Sequence, residues 1–150
     1  MILVDADIIL LDKRYTSDPR FDVNRRLLDR LSSGKRVVGI ATQALLEVAG
    51  VMSFNLRPAH LSDSPLNFAR EYHLRVVPSI RKHPEYAACS FAVVSKYIAK
   101  RMSLGDAVQA AQIEKYAPNA EVLLTWNSRH FVNKVPIPVQ TPAEWLAVNP

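Results

Sequence analysis

The most constraining feature of this 150-residue sequence is the stretch from Ile2 to Leu11, an apolar run that two aspartates interrupt. Its first part, which ends at Val4, fits a buried strand, and Asp5 and Asp7 then stand where a core would take more aliphatic side chains. In open α/β sheets the carboxyl ends of the strands line the ligand crevice. The strand is therefore predicted to deliver Asp5 to a site at that edge.

Composition indicates an ordinary globular protein. Apolar residues make up 49% and charged residues 22% of the chain, which is the usual balance for that class. We expect a single domain over residues 1–150, because this length supports one core. Cys89 is the one cysteine, so an internal disulfide is excluded and a reducing, cytoplasmic setting is favoured. No apolar run approaches the roughly 20 residues of a membrane span, so no membrane association is expected.

Beyond the first strand the pattern alternates helices and strands. A polar, turn-prone passage is predicted over 12–20 and an irregular one over 53–60. Helices are predicted over 21–31, 43–52 with Thr42 as a cap, 63–65 to 72, 84 or 85 to about 100, 103–116 and 143–146. Strands are predicted over 37–40, 75–77 and 122–124, with an edge strand around 135–140. This order predicts an α/β fold with a central, mostly parallel sheet of about four or five strands flanked by helices.

Two further acidic residues lie on predicted helices, and each has two interpretations. Glu47 lies at the rim of an apolar helix face, where a tolerated surface Glu is the simpler reading. Asp106 follows Ser103 in a pattern close to a capping box, and an acid in a first helical turn also suits the helix dipole. The helical wheel nevertheless turns Asp106 towards the face of Ala110 and Ile113, which is inward.

A polar loop follows the last buried strand and repeats the pattern of the first. Thr125 and Asn127 either close a turn, as such residues commonly do, or provide oxygen ligands. If the strand exits and helices converge, Asp5, Glu47, Asp106 and Asn127 form one set of oxygen ligands of the kind that Mg²⁺ or Mn²⁺ prefers. Carboxylates about 4 Å apart repel by roughly 4 kcal/mol at an effective dielectric near 20, so such a cluster calls for a cation or a captured proton.

These segments together resemble the PIN-domain nucleases. The resemblance is carried by Val4-Asp5-Ala6-Asp7-Ile8-Ile9-Leu10, Leu46-Glu47-Val48, Leu104-Gly105-Asp106-Ala107 and the loop Leu124-Thr125-Trp126-Asn127-Ser128-Arg129-His130-Phe131. It covers nearly the whole chain and implies one PIN-like domain. Asp5, Glu47 and Asp106 would then be catalytic metal ligands, with Asn127 in the fourth position and Thr125 in support. Asn127 in place of Asp removes one charge, while Asp7, where many members carry Asn, adds a carboxylate as an auxiliary ligand or a loop-orienting group.

The resemblance implies hydrolysis of RNA phosphodiester bonds with Mg²⁺ or Mn²⁺ as cofactor. The formal charge of +5 mildly favours a polyanionic substrate, and Arg129 and His130 are predicted phosphate contacts near the site. Small PIN proteins of this length resemble the toxin of VapBC-type toxin-antitoxin pairs. That likeness implies a homodimer and a cognate antitoxin.

Two other functions stay open at the level of sequence. Asp5 and Asp7 after an apolar strand also resemble the start of HAD phosphohydrolases, with Asp5 as nucleophile and Asp7 as acid/base. That reading does not explain Glu47, and Ala110 stands where the family would want a second Asp. The other alternative is a catalytically weak PIN-like module that binds RNA or protein, which Asn127 favours.

Overall fold

The fold is organised around a parallel sheet, seen here in a computed structural model that describes residues 1–55, 64–85 and 88–149. Within those ranges five strands form the sheet: β1 (Ile2–Val4), β2 (Val38–Ala41), β3 (Arg75–Val77), β4 (Val122–Leu124) and β5 (Val139–Gln140). Their order is β3-β2-β1-β4-β5, so β1 is central. All four pairings are parallel, which confirms the predicted α/β fold.

Helices cover both faces of the sheet. Those in the described ranges are α1 (Ala6–Arg14), α2 (Phe21–Ser33), α3 (Thr42–Ser53), α4 (Ser64–Glu71), α5 (Phe91–Ala99), α6 (Leu104–Tyr116) and α7 (Pro142–Val148). Ile2 and Val4 pack into a core with α1 to α4 and α7, whereas Leu3 packs with α5 and α6 on the other face, as strand alternation requires. Within these ranges, a helix with the length and apolarity of a bilayer span was not found.

The sequence analysis missed α1, because it assigned no helix to 6–14 and a turn-prone passage to 12–20. Ala6, Ile8, Ile9, Leu10 and Leu11 are all buried, so the helix is apolar on several sides and lacks the one-sided period that identifies a surface helix. Asp5 is its N-cap, and the Asp5 side chain accepts a hydrogen bond from Ala6 N.

The helix predicted from 84 or 85 to about 100 is confirmed at its end and wrong at its start. Helix α5 starts at Phe91, where Ser90 is the N-cap and accepts from Val93 N. Ala88 has a φ of 47°, a left-handed conformation that a right-handed helix cannot contain. Residues 86–87 of the predicted helix lie outside the described residues, as do 56–63 from the predicted irregular passage and helix start.

Smaller differences concern ends of elements. Thr42 is the first residue of α3 and not its cap; Ala41 holds that position without a side-chain hydrogen bond. The edge strand is limited to Val139–Gln140, since Pro136 and Pro138 lack a donor for a longer ladder. Helix α7 is longer than predicted and carries a complete capping box between Thr141 and Glu144.

The register of the three inner strands fixes where the functional side chains emerge. Val4 is opposite Ile40 on one side and Leu124 on the other. Because the strands are parallel, the residues that follow Val4 and Leu124 leave the sheet at the same edge. Asp5 N donates to Leu124 O at 3.0 Å, so the ladder extends by one residue and Asp5 and Thr125 become neighbours.

Substitution by Ala should have opposite effects on stability at two glycines, Gly39 in β2 and Gly50 in α3, because only one of them is closely packed. A Cβ at Gly39 would lie 2.9 Å from Met1 Sδ and 3.0 Å from Arg75 O, whereas a Cβ at Gly50 in α3 would meet nothing within 4 Å. We expect Gly39→Ala to lower the free energy of unfolding by about 1–3 kcal/mol through overpacking. Gly50→Ala should raise it by about 0.5–1 kcal/mol through helix propensity. Urea denaturation measures both, and equal effects of the two substitutions would contradict the described packing.

Candidate active site

Asp5 is the buried centre of the site. It is 7% exposed and its two oxygens receive three hydrogen bonds. Ala6 N and Gln109 Nε2 donate to Oδ1 at 2.7 and 3.1 Å, and the Thr125 hydroxyl lies 2.8 Å from Oδ2. A carboxylate oxygen can accept two hydrogen bonds. Oδ1 is therefore fully used, and Oδ2 keeps one acceptor position for a ligand.

Asp7 faces the loop that follows β4. Its Oδ2 lies 2.8 Å from Trp126 N, 3.1 Å from Asn127 N and 2.9 Å from Thr125 Oγ1. Among the described residues, Oδ1 of Asp7 is buried and has no hydrogen-bond partner. These contacts are those of a group that orients the loop. They give little support to the acid/base role of Asp7 in the phosphohydrolase alternative, because the working oxygen would have to reach the substrate.

The Thr125 hydroxyl lies between Asp5 and Asp7 and has a single hydrogen to donate. Its Oγ1 lies within hydrogen-bond distance of Asp5 Oδ2 and of Asp7 Oδ2, and it accepts from Asn127 N at 3.0 Å. One hydrogen serves only one of the two carboxylates. The second contact is a hydrogen bond when Asp7 is protonated, since Asp7 then donates to Thr125 and Thr125 donates to Asp5.

Glu47 and Asp106 approach Asp5 from two helices. Helix α3 follows β2 and carries Glu47, while Asp106 lies in the first turn of α6, where Ser103 Oγ caps the helix by accepting from Asp106 N at 3.2 Å. The two helices are joined by Gln112 Oε1, which accepts from Gln43 N at 2.9 Å. Capping by Ser103 is thus confirmed, and it leaves the Asp106 carboxylate available at the edge of the site.

Burial, and then repulsion between neighbouring acids, raises the pKa of three carboxyl groups of the site. Burial, and to a lesser extent the charge of Asp106, raises the pKa of Asp5 against the lowering effect of its hydrogen bonds. Burial and then the charge of Asp5 raise the pKa of Asp7 to about 8. Burial followed by the charges of Asp5 and Asp106 raises the pKa of Glu47. The four carboxyl groups therefore form one electrostatically coupled unit, which a bound cation or proton would stabilise.

The other predicted site residues lie around this unit. Asn127 is exposed and contacts Asp7 and Thr125 through its backbone N–H. His130, in the short 3₁₀ helix Ser128–His130, places Nδ1 3.3 Å from Asp106 Oδ2. Arg129 is exposed in the same turn. His130 thus lies at the site, and Asn127 presents its side chain to solvent beside it.

The donor set suits a hard divalent cation that keeps much of its water. Asp5, Glu47 and Asp106 offer carboxylate oxygens, the chemistry that Mg²⁺ and Mn²⁺ prefer. Among the described residues, however, no three His, Cys, Asp or Glu side chains are arranged closely enough to hold an ion by themselves. Mg²⁺ is commonly held by one or two carboxylates with the remaining positions filled by water. The residues fit such an open site and not a closed protein cage.

Three buried amides that support the site were missed by the sequence analysis. Gln109, 2% exposed, holds Asp5, and Gln112 joins α3 to α6. Asn24 donates to Ile8 O and accepts from Trp126 Nε1, both at 2.9 Å, so it ties α1 to the loop after β4. Helical spacing places Asn24 on the apolar face of Leu27 and Gln109 one turn after Asp106, but it does not identify their hydrogen-bond partners.

One comparison with known proteins bears on the fold. The sequence matches no family model and no curated protein. Its structure is similar to a chain in the crystal structure of VapBC2 from Rickettsia felis bound to a DNA fragment from their promoter, with a TM-score of 0.55 and 17% sequence identity. The match covers 94% of this chain and 98% of that one. The fold is PIN-like. At this identity the similarity establishes the architecture and leaves activity to be argued from the site.

Substitution of Thr125 tests its connecting role. Thr125→Val keeps the shape but removes the hydroxyl between two buried carboxyl groups, so we expect the free energy of unfolding to fall by about 3 kcal/mol. Thr125→Ser keeps the hydroxyl and should cost only about 1 kcal/mol for the lost methyl group. Urea denaturation without metal measures both. If Thr125→Val costs no more than Thr125→Ser, the hydroxyl does not have the connecting role.

The raised pKa of Asp7 predicts a pH dependence in the metal-free protein. A carboxyl group whose pKa is about 8 when folded and near its ordinary value when unfolded stabilises the fold at low pH, and this stabilisation is lost as the pH rises through about 8. The free energy of unfolding in EDTA should therefore fall between about pH 5 and 8. Asp7→Asn should flatten this slope, because the amide does not ionise. Asp22→Asn, an exposed acid on α2, should leave it unchanged; a flat wild-type profile would contradict the assignment.

Proposed function

We propose that this protein is a divalent-metal-dependent endoribonuclease that hydrolyses RNA phosphodiester bonds. The observation that carries the proposal is the meeting of Asp5, Glu47 and Asp106, from three separate elements, at the carboxyl edge of the sheet. Their charges act on one another, and such an arrangement costs stability unless a cation or a proton compensates it. The PIN-like fold supports the same reading.

The chain's own residues have distinct tasks in this proposal. Asp5, Glu47 and Asp106 would hold Mg²⁺ or Mn²⁺, which supplies an activated water and stabilises negative charge on the reacting phosphate. Gln109 and Thr125 fix the Asp5 carboxylate, so that its remaining acceptor position points in one direction. Asp7 orients the loop that brings Asn127 to the rim, where its amide serves as the fourth ligand in the proposal.

Arg129 and His130 are the proposed contacts to phosphates flanking the scissile bond. Both lie in the turn after Asn127, and His130 is next to Asp106. A cationic guanidinium at the rim of an acidic centre offsets the repulsion between the carboxylates and a phosphodiester. This contribution to binding should weaken with added salt.

A role as the toxin of a VapBC-type toxin-antitoxin pair is the more specific form of the proposal. Its support is the structural similarity to a chain of the VapBC2 assembly across 94% of this sequence. In that role the protein would act in the cytoplasm as a homodimer, and a cognate antitoxin would cover the acidic site. A PIN nuclease without an antitoxin would have the same site chemistry.

A second candidate is a PIN-like module that binds RNA or protein without cutting. Two observations favour it: the described residues contain no compact group of three metal-ligating side chains, and Asn127 supplies an amide in place of a fourth carboxylate. An acidic site that never recruits a metal would still depend on Asp7 and Thr125 for its structure. Catalysis and stability therefore have to be measured separately.

Cleavage of labelled single-stranded RNA in EDTA, Mg²⁺ and Mn²⁺ tests the nuclease. We expect cleavage with either metal and none in EDTA. Asp106→Asn, at a partly exposed ligand, should reduce the rate by at least about 100-fold, since loss of a group that only supports a ligand already costs about 10–100-fold. Asp22→Asn is the matched control and should retain wild-type activity.

Other outcomes of this experiment identify the alternatives. Metal-independent RNA binding without cleavage by any of these proteins would establish the binding module. Turnover of a phosphomonoester with a trapped acyl-phosphate on Asp5 would establish the phosphohydrolase.

A further inference from the structure

A broad groove with a basic lining lies beside the outer edge of β3. Its volume is about 1030 Å³, and it is bounded by α4, by β3 and by the segment 78–83. Its charged lining residues are Arg70, Arg75, Arg81 and Lys82, accompanied by His73 and His83. Asp and Glu are absent from the described residues that line it. The described lining of the groove therefore carries four formal positive charges and no acidic side chain that compensates them.

The four groove cations form a cluster that no acidic side chain neutralises within the described part of the chain. Within the described residues, none of the four makes an ion pair, although Arg70 donates to Asn67 Oδ1 at 3.1 Å. Some cations elsewhere are neutralised, as in the pairs Arg20–Asp18, Arg25–Asp12, Arg36–Glu121 and Lys96–Glu114. All four groove cations are exposed. Their charge is consequently available to a ligand from solution.

The groove begins at the same edge of the sheet as the acidic site. Val77 pairs with Ala41 at the carboxyl ends of β3 and β2, and Thr42 Oγ1 donates to Pro78 O at 3.3 Å. Thr42 starts α3, the helix that carries Glu47. Two strand spacings, about 10 Å, separate β3 from β1, which corresponds to about three nucleotides of a stacked strand.

One end of the groove also offers aromatic surface. The rings of His83 and Tyr116 have centroids 4.8 Å apart and are inclined at 53°, and both residues line the groove. Single-stranded nucleic acids bind where a basic track follows the phosphates and aromatic rings accept the bases. An acidic peptide would use the cations but has no need of the rings.

We propose that this groove binds the phosphate backbone of a single-stranded RNA whose scissile bond lies at the Asp5 site. The inference rests on the proposed ribonuclease function and extends it: the substrate is held a few nucleotides away from the bond that is cut. Arg81 and Lys82, in the segment that follows β3, provide phosphate contacts along the groove. The groove would supply much of the affinity for RNA, independently of the metal.

The test is RNA binding by a charge-reversed groove. A labelled single-stranded RNA of about 12 nucleotides is titrated with protein in EDTA, with fluorescence anisotropy as readout. Arg81→Glu/Lys82→Glu should weaken binding by at least about tenfold, and should reduce the slope of log affinity against log salt by about 1.4, the value for two lost contacts to a single strand. The matched control is Arg30→Glu/Lys35→Glu, which makes the same charge change near the amino end of β2 and should bind RNA nearly as well as wild type.

The uncharged pair Arg81→Gln/Lys82→Gln keeps the test valid if charge reversal impairs folding, which thermal unfolding reports. It should lower RNA affinity and the salt slope in the same direction. Equal loss of affinity in the groove variant and the control would mean that only net charge matters, and would overturn the proposal. Unchanged RNA binding by the groove variants, with loss of binding to a labelled poly-glutamate peptide, would instead make the groove a protein-docking surface.

Failure of the groove and failure of the nuclease give different results. If the protein does not cut RNA but the groove variant still loses affinity with the expected salt slope, the groove assignment holds and the nuclease does not. If wild type and groove variant cut and bind RNA alike in Mn²⁺, the nuclease holds and the groove assignment is overturned.

Discussion

The rest of the site depends on one hydroxyl group, that of Thr125, shared by two buried carboxyl groups. Asp5 and Asp7 lie within hydrogen-bond distance of it, and burial together with mutual repulsion disfavours two negative charges there. A proton on Asp7 completes the chain from Asp7 through Thr125 to Asp5. One proton shared by the pair leaves a single negative charge beside the crevice, while the loop after β4 is held by Asp7. Asp7, which orients the loop, and Asp5, which faces the crevice, are therefore only two residues apart in sequence.

The parallel α/β class and the position of Asp5 at the end of a buried strand were readable from the sequence, because both depend on local patterns. An apolar strand followed by Asp5 predicts a residue at the ligand edge, and Ser103 predicts the start of α6. Helix α1 could not be predicted in the same way, since its residues are buried on several sides and carry no amphipathic period. Gln109 and Asn24 were missed because their hydrogen-bond partners are far away in sequence. The sequence pattern around a buried amide is the same whether or not the amide has such a partner.

Acidic and basic side chains occupy different regions of this protein, although the net charge is modest. Acidic groups that repel one another are collected at the carboxyl edge of the central strands, and unpaired cations line the groove beyond β3. A polyanion close to Asp5 alone would meet repulsion, whereas a strand anchored in the groove meets attraction before it reaches the acids. The two regions are therefore complementary in any function that brings a nucleic acid to the site, and the modest net charge conceals their difference.

The central position of β1 has a consequence for the order in which the protein is made. Asp5 is synthesised well before Thr125, its partner across the β1–β4 pairing, which lies 120 residues later. Synthesis proceeds from the amino terminus, so a nascent chain carries Asp5, Glu47 and Asp106 before it has the strand that assembles them. The site cannot close until β4 has left the ribosome.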